Sequence, residues 1–109
     1  MALAHAASGQ VVDVHALDAS LSESRTVALF KSDEIEVIRL ILPAGKTMPS
    51  HRVKGEITLH CLEGEIDLEL ADKTERLKAG QLVWLEGNAD HALTALRDSS
   101  VLVTIALRK

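Results

Sequence analysis

A chain of 109 residues has the length of one ordinary domain, and 47% hydrophobic with 26% charged residues is the balance of a globular protein, not of a disordered one. The formal charge of −4 is modest and the twelve basic residues are scattered singly from Arg25 to Lys109, so no footprint for nucleic acid is present. No apolar run approaches the roughly 18 residues that a bilayer span needs, no Lys or Arg precedes the apolar stretch of MALAHAASGQ, and Cys61 is the single cysteine. A cytoplasmic protein with no membrane partner, no nucleic-acid partner and no internal disulfide is the expectation.

Residues 1–26 are rich in Ala and Ser with weak periodicity, and form a lead-in arm in which VVDVHAL could make a short edge strand. His5 and His15 lie in this arm, where solvated surface roles are expected. From Thr26 onward the character changes. TVALF, EIEVIRLIL, EITLHCLE, EIDLELA, GQLVWLE, HALTAL and SVLVTIAL are strand-length runs rich in Val, Ile, Leu and Thr, which predicts at least seven strands over a domain spanning 27–109. Between them, Pro43-Ala44-Gly45, Lys54-Gly55, Glu63-Gly64, Ala79-Gly80 and Glu86-Gly87-Asn88 are turn signals. Connections this short favour antiparallel neighbours, because a parallel crossover needs a dozen residues or more. No segment reads as a long amphipathic helix, so the fold class is all-β, antiparallel, as a sandwich or barrel.

Alternation assigns faces. In EIDLEL, Ile66, Leu68 and Leu70 share a core face while Glu65, Asp67 and Glu69 face water. EVIRLIL is apolar on both faces, Val37 and Ile41 on one and Ile38, Leu40 and Leu42 on the other, so its second face needs a cover. Either the arm or a partner subunit supplies it, and a homodimer is the expected assembly.

The chain has two similar halves. Ala44-Gly45 is followed by His51 and Ala79-Gly80 by His91, and Leu-Glu-Gly recurs at 62–64 and 85–87. On these residues it resembles the cupin family, small double-stranded β-helix barrels, over residues 34–107. The first cupin motif runs glycine, five residues, histidine, one residue, histidine, three or four residues, glutamate, six residues, glycine; Gly45, His51 and Gly64 stand on that frame. The second runs glycine, five residues, proline, one residue, glycine, two residues, histidine; Gly80 and His91 match it, with Glu86 in the proline place and Asn88 in the second glycine place.

The resemblance implies a metal held by two histidines and a glutamate of the first motif and a histidine of the second. Here Val53 occupies the second histidine place and Ile57 the glutamate place, so His51 and His91 alone remain of four ligands. Three residues could complete the set. Counting in twos from the glutamate place puts Ile57, Leu59 and Cys61 inside the barrel and Thr58 and His60 outside, whereas one bulge would turn His60 inward and Cys61 away. Glu56, one residue off frame, is the third. Trp84, with Leu82, is expected to face the interior if Gln81 is outside. The candidate pocket is therefore His51, Val53, Ile57, Leu59, Cys61, Trp84 and His91, and the candidate metal ligands are His51, His91 and His60.

Three functions compete on this reading. One is a metal-free barrel that binds a small molecule, with the two histidines as hydrogen-bond partners at its mouth. Another is an enzyme of oxygenase, isomerase or decarboxylase type that holds one divalent Fe, Mn, Ni or Zn ion. The last is a closed, ligand-free barrel. Other chemistries are excluded: Ser50 and His51 are adjacent on a strand and point to opposite faces, and no glycine-rich phosphate loop opens a helix.

Overall fold

The apolar runs assemble into two facing antiparallel sheets. The computed structural model describes residues 5–108. It holds β1 (Val27–Lys31), β2 (Ile35–Leu42), β3 (Thr47–His51), β4 (Ile57–Glu63), β5 (Glu65–Glu69), β6 (Thr74–Lys78), β7 (Leu82–Leu85), β8 (His91–Ala95) and β9 (Ser99–Ala106). One sheet has the order β1-β2-β9-β4-β7 and the other β3-β8-β5-β6. Chain neighbours such as β2 and β3, or β8 and β9, lie in different sheets, so the chain winds around the barrel as it climbs.

Seven of these strands are the apolar runs; β3 and β6 are not legible as such. The reason is local. TMPSH contains a proline and one apolar side chain, and TERLK is exposed except for Leu77, so neither carries the period-two signal of a half-buried strand. The strand β5 behaves as its alternation dictates, with Ile66 and Leu68 fully buried. The tight turn between β4 and β5 depends on Gly64, which has φ 89° and sits where a Cβ would collide with Ser99 and the backbone of Asp98.

Among the described residues the arm contains no strand, so VVDVHAL is not an edge strand; the regular element described there is a 3-10 helix at Asp18–Glu23, which buries Leu21. A buried ion pair fastens it. Arg39, on the outer face of β2 and 6% exposed, donates from Nη2 to Glu63 Oε2 (3.0 Å) and to the His15 carbonyl (2.6 Å), and from Nε to Ser100 Oγ (2.9 Å). The Glu63 carboxylate in turn accepts the backbone N–H groups of Leu17 (2.9 Å) and Asp18 (3.0 Å). The second face of EVIRLIL is thus covered at Arg39 by the chain's own arm. No helix among the described residues is long and apolar enough to cross a membrane.

The barrel interior divides into a packed end and an open one. Leu42, Cys61, Ile66, Ala95 and Val101 fill the first. Toward the His51 and His91 end the side chains draw apart.

Candidate functional site

A bulge builds the site. The strands β3 and β8 pair Thr47 with Thr94, Met48 with Leu93 and then His51 with His91, a shift of one residue. Pro49 and Ser50 therefore oppose Ala92 alone. In a regular strand positions 48 and 51 would point to opposite faces, but the extra residue lets both line one cavity, Met48 half-buried and His51 exposed at its rim. From β8, His91 reaches the same cavity and is 4% exposed. The two imidazole rings lie 4.4 Å apart between centroids, tilted by 54°.

The cavity has a volume of about 120 Å³. Its walls are Ile38 and Leu40 of β2, Ile57 and Leu59 of β4, Leu93 of β8, Val103 and Ile105 of β9, with Val53 and Met48 near the mouth. The paired imidazoles are the polar side chains among these lining residues. Each ring is anchored to the backbone two residues before it: His91 Nδ1 is 3.0 Å from the Ala89 carbonyl oxygen and His51 Nδ1 is 3.3 Å from that of Pro49. The segments that follow β3 and precede β8 are tied together outside. Arg52 donates twice to Asp90, at 2.8 and 2.9 Å, and the Asn88 N–H donates to the Val53 carbonyl at 2.8 Å. Asn88 has φ 64°, a left-handed conformation that asparagine tolerates better than most residues, which explains how it stands in a glycine place of the motif.

Val53, Ile57, Leu59, His51 and His91 all line this cavity. Four other candidates do not. The register of β4 against β9 is regular from Ile57 to Cys61 and shifts only beyond it, so His60 stays on the outer face, paired with Leu82 and Leu102, and cannot join His51 and His91. Cys61 does point inward, but into the packed end: it is fully buried, does not touch the cavity, and burial pushes its thiol above its ordinary pKa. Trp84 and Leu82 are on the outer face, 60% and 64% exposed, because Val83 and Leu85 take the inward positions of β7; Trp84 is not a pocket wall. Glu56 is also outside, where its carboxylate accepts Trp84 Nε1–H at 2.9 Å and lies 3.7 Å from Arg108. Met48 also lines the cavity, and its inward turn depends on a bulge that no local pattern in the sequence marks. Ile38 and Leu40 line it too; their shared face is visible in the alternation, but nothing in the sequence assigns it to a pocket.

The donors that meet at the cavity are the two imidazoles. No group of three or more His, Cys, Asp or Glu side chains that could hold an ion occurs among the described residues. Two imidazoles against an apolar wall are half of the four-ligand set, and two protein ligands rarely hold a divalent ion tightly.

Strand order, winding and the placement of one histidine from each half define a double-stranded β-helix barrel. The cupin domain family model matches residues 38–106, and the chain belongs to that family. Solved structures share the fold. A conserved protein of unknown function from Streptococcus pyogenes superposes with a TM-score of 0.76 at 16% identity, covering 100% of this chain and 96% of its own. A cupin superfamily protein from Desulfitobacterium hafniense gives 0.74 at 17% identity over 76% of each chain. An RmlC-like cupin family protein with a double-stranded β-helix fold from Methanocaldococcus jannaschii gives 0.73 at 21% identity, covering 90% of this chain and 93% of its own. No curated protein matches the chain.

Proposed function

We propose that this cupin binds a small, largely apolar molecule in its barrel cavity, with His51 and His91 as the polar contacts. The observation that carries the reading is the pairing of a walled apolar cavity of about 120 Å³ with two adjacent imidazoles at one end. Small-molecule sites are concave, mostly apolar and furnished with a few convergent polar groups. The metal-dependent alternative lacks a third donor, since His60 and Glu56 are outside and Cys61 is in the packed end. The closed-barrel alternative is opposed by the cavity itself.

A screen of small water-soluble fragments against methyl-labelled protein tests the proposal. Binding should shift the methyl resonances of Ile38, Leu59 and Val103, and either His51→Ala or His91→Ala should weaken it. Fragments that shift only surface methyls would refute it. Elemental analysis of untagged protein tests the metal alternative independently, with one stoichiometric divalent ion as the contrary result. A homodimer is proposed as the assembly. Because the arm already covers the outer face of β2 at Arg39, the interface would fall on β4 and β7, where Leu82 and Trp84 are exposed. Light scattering at 11.8 kDa would refute the dimer, and twice that mass would support it.

A further inference from the structure

The backbone partners of the two imidazoles determine which of their nitrogens carries the proton. A carbonyl oxygen only accepts hydrogen bonds. The Nδ1 atoms of His91 and His51, 3.0 and 3.3 Å from the carbonyls of Ala89 and Pro49, must therefore be the donors. In a neutral imidazole one nitrogen donates and the other accepts, and the partner of one fixes the role of the other. In the neutral form, Nε2 of both rings then carries a lone pair and no proton. For His91 this nitrogen has no hydrogen-bond partner among the described residues. No buried side-chain nitrogen or oxygen there lacks a partner either, so the small accessible fraction of His91 includes Nε2. The His91 ring lines the cavity, beside the His51 ring at 4.4 Å between centroids.

We infer that the cavity selects uncharged molecules that donate a hydrogen bond, small alcohols above all, with an apolar body of about six heavy atoms. This rests on the proposed ligand pocket and adds the chemical class of its occupant. The size follows from the volume: a dry apolar cavity of roughly 150 Å³ takes benzene in a well-studied lysozyme variant, and this one, at about 120 Å³, suits a five-membered ring or a short branched chain. The class follows from the walls. With neutral rings both Nε2 atoms are acceptors, so a hydroxyl or amide hydrogen is satisfied and a carbonyl group is not. No Arg, Lys, Asp or Glu side chain lines the cavity, so a buried carboxylate or ammonium group would lose its hydration without a compensating charge.

Cyclopentanol and cyclopentanone separate these statements, since each has six heavy atoms and similar shape but only the alcohol donates. Titration of each into methyl-labelled protein at about pH 8, above the ordinary imidazole range, should give cyclopentanol a Kd in the millimolar range expected for so small a ligand. Cyclopentanone should bind about fivefold more weakly or worse, the factor for one net hydrogen bond, and cyclopentanecarboxylate weaker still. Two-bond proton–nitrogen spectra should show Nδ1 protonated and Nε2 unprotonated in both rings. In His91→Ala the preference for alcohol over ketone should shrink toward unity. Equal or tighter binding of the ketone or the carboxylate, or Nε2 found protonated, would overturn the donor inference while leaving the pocket reading intact. Failure of all three compounds to shift the cavity methyls at tens of millimolar, at a concentration where surface methyls do respond, would overturn both.

Discussion

Replacing Glu63 with alanine should undock the arm and destabilise the barrel, and the structure sets the size of the effect. The Glu63 carboxylate is held by the Arg39 guanidinium at 3.0 Å and the N–H groups of Leu17 and Asp18, with the Ser100 hydroxyl beside it. The two charged side chains are 7% and 13% exposed, so the variant leaves a guanidinium buried without its counter-ion. Breaking such a pair costs about 3–5 kcal/mol. Arg39 keeps its bonds to Ser100 and to the His15 carbonyl, which places the loss near the lower end, about 3 kcal/mol, or roughly 12 °C or more in Tm. The pH dependence has a definite sign. Burial alone would raise the Glu63 carboxyl, but the N–H groups of Leu17 and Asp18, the Arg39 charge and the Ser100 hydroxyl outweigh it and hold its pKa below the ordinary 4.5. A carboxyl depressed on folding stabilises the fold above its unfolded pKa, and the gain disappears as pH falls through the folded value. Thermal melts of parent and Glu63→Ala should thus differ most near neutrality, and the difference should shrink as pH falls below the ordinary carboxylate range and through the lowered folded-state value. Trypsin supplies the local assay. Arg25, exposed at the end of the arm, should be cut about tenfold faster or more in the variant, as expected when local opening becomes easier by over 1.4 kcal/mol. A Tm within about 3 °C of the parent, together with unchanged cleavage after Arg25, would refute the assignment of Glu63 as the arm's anchor.

Trp84 is the single tryptophan and is exposed, so its fluorescence maximum should lie in the water-exposed range and stay there when the cavity fills; a blue-shifted band that moves with ligand would put it inside. The Cys61 thiol should react with a disulfide reagent at neutral pH at least about a hundredfold more slowly than a free thiol, because it is fully buried and holds its proton; fast labelling in the folded state would contradict this. Val53→His places a third imidazole on the cavity beside the other two, and Zn(II) or Ni(II) affinity by calorimetry should rise above that of the parent; a parent that already binds one equivalent tightly would show that two histidines suffice here.

How far the sequence reached can be told from particular residues. The alternation of EIDLEL fixed its faces, since one period-two run with charges on one side has a single sensible orientation. The same rule put His60 outside and Cys61 inside along β4, and the regular register there obeys it. Counting in twos fails on β7 because it starts one residue early: Gln81 is exposed but lies before the strand, so the alternation does not run on from it, and Val83 and Leu85 take the interior while Trp84 bonds to Glu56. Neither composition nor spacing marks the bulge at Pro49-Ser50, yet it decides that Met48 and His51 share a cavity. The valines of the arm suggest a strand that does not form. The arm's real attachment is made by Arg39 and Glu63, two charges 24 residues apart, and no local pattern links them.

The central claim is that the cavity bounded by His51 and His91 takes an apolar guest. The most direct measurement is a set of intermolecular nuclear Overhauser effects between bound cyclopentanol and the protein's methyl groups. The ring protons should contact Ile57, Leu59 and Val103, all of which line the cavity, and not Leu82, which lies on the outer face. Contacts confined to Leu82 and its neighbours, with the cavity methyls silent, would contradict that claim.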